Sequence, residues 1–299
     1  MLKAGIIGLG KLGSIHLRIY KESRKIEKIY LVDTDKKALK EPGLPAYSDY
    51  RSLKDKVDLV SIATPTSTHF EIARFFLENK VPVLVEKPIT KNTQEAKKLI
   101  RIAQKNKTLI FVGHVERFNS AYLKAKETIK NPLFIECHRL SPYPHRSLDI
   151  SVVLDLMIHD LDIILDLASD KIKKIEAKGV KVLSSTADIA NSRISFKNGC
   201  VANITSSRIS LKKERKIRIF MPNKYVSIDY ANQSVDVYQK QKNKISQQNL
   251  KIDKEEPLKK EINHFIELVN KKSFDISSAQ GAKNALLAAA EIEKIIKKS

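Results

Sequence analysis

Hydrophobic and polar positions alternate regularly over the first 118 residues, where short apolar runs are separated by longer amphipathic segments. The apolar runs predict five strands, at residues 2–7, 28–32, 57–63, 81–85 and 108–112. The amphipathic segments predict helices at residues 14–20, 70–79 and 93–105. Strands that alternate with helices form parallel βαβ units, so this half of the chain predicts an α/β fold with a doubly wound parallel sheet.

The pattern changes in the second half of the chain. The predicted segments are a strand at 133–140, a proline-rich loop at 141–146, successive strands over 172–238, and helices at 257–271 and 279–297. Asn198-Gly199 is a strong hairpin signal within the strand-rich part. Residues 239–254 are polar and rich in lysine and glutamine, so we expect a solvated, mobile excursion there.

These elements predict a second α/β domain with an open, mostly antiparallel sheet and helices on one face. We therefore divide the chain into a domain at residues 1–118 and a domain at residues 119–299. The amphipathic C-terminal helix is also able to pack back on the first domain.

Residues 153–167 predict one helix with two different faces. Its apolar stripe consists of Leu154, Ile158, Leu161 and Leu165, and its polar stripe of Asp155, His159, Asp162 and Asp166. A carboxylate one turn before an imidazole can orient the ring and stabilise its protonated form, which suits a proton acceptor. A metal site is disfavoured, because one helix offers three ligands only with distorted geometry and no cysteine set accompanies them. A structural helix face is the remaining alternative.

Gly8, Gly10 and Gly13 form a GxGxxG sequence between a predicted strand and a predicted helix. The glycines allow a tight turn and let the backbone approach a pyrophosphate at the helix N-terminus. Asp33 ends the next strand, twenty residues after Gly13. A carboxylate there accepts hydrogen bonds from an adenosine ribose and repels a ribose phosphate, which favours NAD over NADP. This part therefore predicts a Rossmann domain that binds NAD, although the NAD could be purely structural.

Ligands of such sheets bind beyond the carboxyl ends of the strands, which here fall at Gly8, Asp33, Thr64, Lys87 and His114. A lysine at this edge can stabilise a developing alkoxide, whereas the alternative for Lys87 is a surface pair with its neighbour Glu86. His69 and His114 are equally consistent with loop histidines that have no catalytic task. His16 is either structural or close to the pyrophosphate.

Net charge is the most unusual property of the composition, at +21 from 55 basic and 34 acidic residues. The basic residues are scattered, aromatic residues make up only 6% and no nucleic-acid-binding motif occurs, so nucleic-acid binding is disfavoured. A phosphorylated or nucleotide-linked small molecule is a better partner for this charge. Cys137 and Cys200 form no CxxC motif, and no signal peptide or membrane-spanning run is present, so we expect free thiols and a cytoplasmic protein.

The motifs occur in a characteristic order: GxGxxG, Asp33, Thr64-Pro65, Glu86-Lys87-Pro88, Gly113-His114-x-x-Arg117-Phe118 and Asp155-x-x-x-His159-x-x-Asp162. This set resembles the Gfo/Idh/MocA oxidoreductase family over nearly the whole chain. The resemblance implies a Rossmann domain, a C-terminal α/β domain whose open sheet often serves oligomerisation, and NAD(P)-linked oxidation at a sugar or polyol carbon. It also implies that Lys87, Asp155 and His159 are the catalytic set.

The resemblance and the strand-end positions together give the expected binding residues. Those for the cofactor are Gly8, Gly10, Lys11, Leu12, Gly13, Asp33, Thr64, Pro65, His69, Glu86 and Lys87. Those for the substrate are His114, Arg117, Arg146 and Asp162. The family often has an aromatic residue where His114 stands. Arg117, Arg139 and Arg146 could meet a diphosphate, although no spacing rule establishes this.

Within the family, residues 112–119 and 138–167 most resemble bacterial UDP-N-acetylglucosamine 3-dehydrogenases. That resemblance implies a 3-keto nucleotide sugar, which a pyridoxal-phosphate aminotransferase converts to a 3-amino sugar for lipid A. We expect His159, oriented by Asp155, to accept the hydroxyl proton while Lys87 stabilises the alkoxide; the two roles could be exchanged. We also expect a homo-oligomer, either a dimer or a tetramer.

Two alternatives remain open. One is a dehydrogenase of the same family that acts on an inositol, a free sugar or another UDP-sugar. The other is a regulatory protein that senses NAD without chemistry, which is disfavoured because both the lysine and the histidine are present.

Overall fold

The computed structural model describes residues 1–39, 41–143, 150–242 and 244–298. The strands are Leu2–Ile7 (β1), Ile26–Val32 (β2), Ala46–Tyr47 (β3), Leu59–Ile62 (β4), Val83–Glu86 (β5), Ile110–Gly113 (β6), Phe134–Leu140 (β7), Ile172–Val180 (β8), Ile189–Phe196 (β9), Val201–Ser207 (β10), Glu214–Met221 (β11), Lys224–Asp229 (β12), Ser234–Gln241 (β13) and Lys244–Asn249 (β14). The α-helices are Lys11–Glu22 (α1), Thr66–Glu78 (α2), Thr93–Asn106 (α3), Ser120–Lys126 (α4), Ile158–Ala168 (α5), Pro257–Asn270 (α6) and Ser277–Lys298 (α7). Two 3-10 turns, Tyr50–Leu53 and Val115–Phe118, and a π-helical turn, Val153–Met157, accompany them.

The chain divides into two compact units. The first contains Met1–His114 and Leu258–Lys283, and the second contains Val115–Pro257 and Asn284–Ser299. Helix α6 therefore belongs to the first unit from Leu258 onward, and α7 begins in the first unit and ends in the second.

The first unit is built on a six-stranded sheet in the order β3-β2-β1-β4-β5-β6, in which every pair is parallel. Every residue of β4, β5 and β6 is buried, because helices cover both faces of such a sheet and leave no solvated side. Asn92 begins α3 by accepting a hydrogen bond from the backbone N–H of Glu95 (2.9 Å). The predicted doubly wound parallel sheet is confirmed.

The second unit is built on an eight-stranded sheet in the order β14-β13-β12-β11-β7-β10-β9-β8. Strands β7 and β10 pair in parallel, and the other neighbours are antiparallel. Buried and partly exposed residues alternate along β7 and β10, so one face of the sheet is covered. Helix α4 packs on β12 and β13, and α5 packs on β7, which confirms the predicted mostly antiparallel sheet with helices.

The structure corrects two predictions made for the second unit. Residues 239–254 are not simply an excursion, because β13 continues to Gln241 and then pairs antiparallel with the exposed edge strand β14. Pairing with the neighbouring strand β13 gives order to a polar sequence that has no apolar signal of its own. The predicted single helix at 153–167 is instead a π-helical turn followed by α5.

Two further observations concern the described part of the chain. No helix there is long and apolar enough to cross a membrane. Both cysteines are buried free thiols, and burial raises the pKa of Cys200 to about 11.

Candidate functional site

The loop between β1 and α1 approaches its neighbours so closely that two of its glycines are required. Gly8 has a φ of +87°, and a Cβ there would lie 2.7 Å from the carbonyl oxygen of Ala63. A Cβ on Gly13 would lie 1.8 Å from the carbonyl oxygen of Gly8. Side chains are therefore excluded at both positions, and the first turn of α1 is pressed against the end of β1.

Gly10 differs from these two glycines, because a Cβ on it would meet no atom within 4 Å. It lies at the N-terminus of α1, where no side chain caps the helix. The backbone N–H groups of that first turn lack intrahelical acceptors, and the helix dipole favours an anion there. The open space and the unsatisfied donors together fit the pyrophosphate of a dinucleotide.

Asp33 follows β2 beside the glycine loop. Its Oδ2 accepts a hydrogen bond from the backbone N–H of Leu9 (2.7 Å), and its Oδ1 accepts one from Asp35 (2.8 Å). These bonds fix the carboxylate, and each oxygen retains lone-pair capacity for a ribose hydroxyl. The donor set therefore also fits the adenosine half of NAD.

Thr64 and Pro65 form the loop between β4 and α2, and His69 lies on the first turns of α2. The His69 ring is buried, with Nδ1 2.9 Å from the carbonyl oxygen of Pro88 and Nε2 2.9 Å from that of Thr64. Burial lowers the pKa of His69 despite these carbonyls and the nearby Glu86 charge. His69 therefore lies between two strand-end loops; a neutral ring carries one N–H and donates to one of the two carbonyls, and only a protonated ring donates to both.

At the end of β5, the side chain of Glu86 is buried in the core, and that of Lys87 is partly exposed at the edge of the core. Glu86 is buried; its Oε1 lies 3.1 Å from Nε2 of His16, and its Oε2 accepts a hydrogen bond from the backbone N–H of Lys87 (3.3 Å). Lys87 is half-buried and precedes a cis peptide bond to Pro88. His114, directly after β6, is buried. The carboxylate of Glu86 thus holds the backbone of Lys87.

The second unit carries the predicted catalytic pair on two kinds of helix. Asp155 lies in the π-helical turn, and His159 lies in the first turn of α5; both are half-buried. A π-helical turn changes the angular spacing of side chains relative to an α-helix and often occurs at functional sites. Asp155 and His159 are therefore not separated by the single α-helical turn that the sequence predicted.

Arg117 and Asp162, both predicted to bind substrate, pair with each other. Arg117 donates to Asp162 through Nε (2.5 Å) and Nη2 (2.9 Å), and to Asp166 through Nη1 (3.3 Å). The pKa of Arg117 is raised: burial opposes its charge, but Asp162 and Asp166 outweigh burial. Only 2% of the Asp162 side chain is exposed, against 31% for Arg117. The carboxylate of Asp162 is therefore held by the arginine.

Arg139, which the sequence allowed as a diphosphate ligand, is buried in an ion-pair network. It donates to both oxygens of Asp160 (2.9 Å each) and to Oε1 of Glu116 (3.0 Å). All three side chains are nearly inaccessible to solvent, so this arginine is not available to a ligand. The interpretation of Arg139 as a diphosphate ligand was therefore wrong. The sequence could not reveal its acidic partners, because they lie more than twenty residues away and no local pattern indicates them.

The sequence analysis also missed the buried ion pair between Asp188 and Arg208. Arg208 donates through Nε to Asp188 (2.9 Å) and through Nη1 to the carbonyl oxygen of Ile150 (2.7 Å), just before the π-helical turn. Burial opposes ionisation of Asp188, but hydrogen bonds from Ser184 and from backbone amides hold the pKa of that carboxyl well below its usual range.

Arg146, predicted to bind substrate, lies outside the described residues.

Within the residues that the structure describes, no group of three or more His, Cys, Asp or Glu side chains is arranged to hold a metal ion. The fold and the glycine loop define an NAD-binding oxidoreductase of the Rossmann class. Residues 2–114 match the oxidoreductase family with an NAD-binding Rossmann fold, and residues 122–225 match the Gfo/Idh/MocA C-terminal domain. The chain belongs to the Gfo/Idh/MocA family. It is an NAD-dependent dehydrogenase that acts on a CH–OH group.

Two relatives, one of them with a solved structure, show where similarity within this family is found. UDP-N-acetylglucosamine 3-dehydrogenase of Acidithiobacillus ferrooxidans is 35% identical over 79% of this chain and 77% of that protein. A solved structure of that enzyme from the same organism matches with a TM-score of 0.92 and 31% identity, over 99% of this chain and 98% of that one. Myo-inositol 2-dehydrogenase of Thermotoga maritima is 26% identical over 73% of this chain and 72% of that protein.

Proposed function

We propose that this dehydrogenase oxidises the C3 hydroxyl of UDP-N-acetylglucosamine to a ketone with NAD. The observation that carries the proposal is the relative named for that reaction, which is 35% identical, whereas the myo-inositol dehydrogenase is 26% identical. The net charge of +21 is in keeping with an anionic substrate, because a positive field raises the rate at which anions meet the protein.

The cofactor residues in this proposal are those of the first unit. The backbone from Gly8 to Gly13, which includes Lys11 and Leu12, holds the pyrophosphate, and Asp33 holds the adenosine ribose. Thr64, Pro65, Glu86 and Lys87 complete the strand-end loops, and His69 acts by holding those loops. Bound NAD supplies the acceptor for the hydride that leaves the substrate carbon.

Side chains of the protein remove the proton of the C3 hydroxyl and stabilise the charge that remains. His159, oriented by Asp155, removes the proton from the C3 hydroxyl, and the Lys87 ammonium stabilises the alkoxide charge that develops on the oxygen. The carbon loses a hydride and the oxygen loses a proton, so the products are the ketone, NADH and one proton. The roles of the lysine and the histidine can be exchanged without changing this balance.

Substrate contacts are assigned to His114, Arg117 and Arg146. The Arg117 side chain is 31% exposed, so an anionic group can approach it, although Asp162 and Asp166 already accept hydrogen bonds from its guanidinium. Asp162 thus serves the substrate through Arg117. The ketone product is suited to a pyridoxal-phosphate aminotransferase, which would give a 3-amino sugar of the kind used in lipid A.

Mass spectrometry of the product formed from UDP-N-acetylglucosamine and NAD tests the proposal. We expect a product that has lost two hydrogens from the sugar, together with NADH, and trapping by an aminotransferase should increase its yield. UDP-glucose, myo-inositol and scyllo-inositol are the comparison substrates. Faster NAD reduction with an inositol would instead favour an inositol dehydrogenase, the second candidate function, since inositol dehydrogenases are also among the relatives. We also propose that the protein is a dimer or a tetramer, which light scattering tests.

A further inference from the structure

Two buried histidines from different helices hold the residues on either side of Lys87. His16, on α1, contacts the side chain of Glu86, and His69, on α2, contacts the carbonyl oxygen of Pro88. Both rings are almost completely buried. All of these residues belong to the first unit.

His16 has a defined hydrogen-bonding role. An ionised carboxylate can only accept, so Nε2 of His16 carries the hydrogen that it donates to Oε1 of Glu86 (3.1 Å). Nδ1 lies 2.6 Å from the hydroxyl of Ser61, a group that can either donate or accept. The other oxygen of Glu86 accepts from the backbone N–H of Lys87 (3.3 Å). His16 is thereby connected to the backbone of Lys87 through one carboxylate.

The space for this carboxylate is provided by β6. A Cβ on Gly113 would lie 2.9 Å from Oε1 of Glu86 and 3.0 Å from Oε2, so a larger residue would push the carboxylate away from its partners. The carboxylate is therefore confined by the backbone on one side and by His16 on another. A confined group of this kind fixes its neighbour more firmly than a solvated one.

His69 acts on the other side of Lys87. Its Nδ1 lies 2.9 Å from the carbonyl oxygen of Pro88, and its Nε2 lies 2.9 Å from that of Thr64. The same ring therefore contacts a loop assigned to NAD and the loop that carries Lys87. The two nitrogens are separable by mutation, because asparagine places its amide near the position of Nδ1 and glutamine near that of Nε2.

We propose that His16 and His69 are positioning residues that clamp residues 86 and 88 and so fix where the Lys87 ammonium meets the reacting oxygen. The inference rests on the proposed role of Lys87. Displacement of a catalytic group by about 1 Å can cost about a hundredfold in rate, so a clamp on both sides matters for turnover. Neither histidine needs to touch substrate or cofactor for this effect.

Four variants form two matched pairs that test the clamp. His16→Gln retains a donor to Glu86, whereas His16→Asn retains only the contact with Ser61. His69→Asn retains a donor to Pro88, whereas His69→Gln retains only the contact with Thr64. Every variant loses one buried contact, so a purely structural role predicts similar behaviour within each pair. The clamp predicts opposite preferences, with glutamine better at residue 16 and asparagine better at residue 69.

The first measurement is hydrogen exchange of the Lys87 amide by NMR, which needs no substrate. We expect exchange about tenfold faster in His16→Asn and His69→Gln than in their matched partners. The second measurement is kcat, which should be about tenfold lower in the same two variants, with the KM for NAD raised only in His69→Asn. Melting temperatures within each pair should agree.

Equal amide exchange within both pairs would overturn the clamp. Exchange that differs as expected while kcat does not would overturn its role in positioning the ammonium. If the wild type fails to oxidise any of the sugars, the proposed function fails, but the exchange measurement still decides the clamp. Either pair alone gives the result if a variant of the other pair does not fold.

Discussion

The glycine loop of the first unit and the His159 helix of the second place their functional groups by opposite means. In the loop, the position is set by the absence of side chains at Gly8 and Gly13 and by backbone groups at the start of α1. In the helix, the residues around His159 are tied down by buried charges, because Asp160 pairs with Arg139 and Asp162 with Arg117. One site is formed by a local turn and the other by long-range ion pairs.

The difference shows which kind of mutation each region tolerates. The loop depends on space, so a single methyl group can destroy it, while its charge is supplied by the backbone and cannot be removed by substitution. The helix depends on charge, so removing one carboxylate leaves a buried arginine short of a partner. Three predictions test this contrast, and they are given from the largest expected effect to the smallest.

The largest effect is expected at the glycines. Gly13→Ala should prevent folding of the first unit, because its Cβ would lie 1.8 Å from the carbonyl oxygen of Gly8. Gly10→Ala is the matched control; its Cβ meets nothing within 4 Å, so its melting temperature should stay near that of the wild type while NAD binds more weakly. Circular dichroism and NADH fluorescence titration measure the two properties. A folded Gly13→Ala protein would contradict the structure of this loop.

The next effect concerns catalysis. Lys87→Ala and His159→Asn should each lower kcat by about a hundred- to ten-thousand-fold, because each removes a group that acts on the reacting proton or oxygen. The affinity for NAD should be retained, as measured by NADH fluorescence. Lys91→Ala, at an exposed lysine near Lys87, should keep normal turnover. Normal rates in either of the first two variants would remove that residue from the proposed catalytic set.

The smallest effect distinguishes buried from exposed charge in the second unit. Asp160→Ala should lower the free energy of unfolding by about 3 kcal/mol, the low end for breaking a buried pair, because Glu116 still faces Arg139. Glu136→Ala breaks the exposed pair between Glu136 and Arg218 and should cost less than about 1 kcal/mol. Urea unfolding measures both variants. Equal losses would mean that the buried network does not secure the His159 helix.

Much of the first unit could be predicted from sequence, because its signals are local. Gly8, Gly13 and Asp33 lie where the strand, turn and helix pattern placed them, and the parallel order of the sheet followed from alternating elements. The second unit was predicted at the level of its sheet and helices. Strand β14 was missed because its polar residues are ordered only by pairing with β13.

The candidate site shows the same division. The sequence indicated Lys87 and His159 through motifs, predicted Arg117 as a substrate ligand and allowed Arg139 as a diphosphate ligand. The structure uses both arginines to hold acidic residues of α5, and it shows His16 and His69 on either side of Lys87. No spacing rule connects Arg139 with Asp160, or His16 with Glu86.

The sequence by itself determined the succession of elements, the dinucleotide loop and the residue types available for chemistry, since these depend on periodicity and on turns of a few residues. Only the tertiary structure decided which charged and polar groups are buried together. The physical reason is that a buried charge or imidazole must find a partner, and the fold can bring that partner from any distance along the chain.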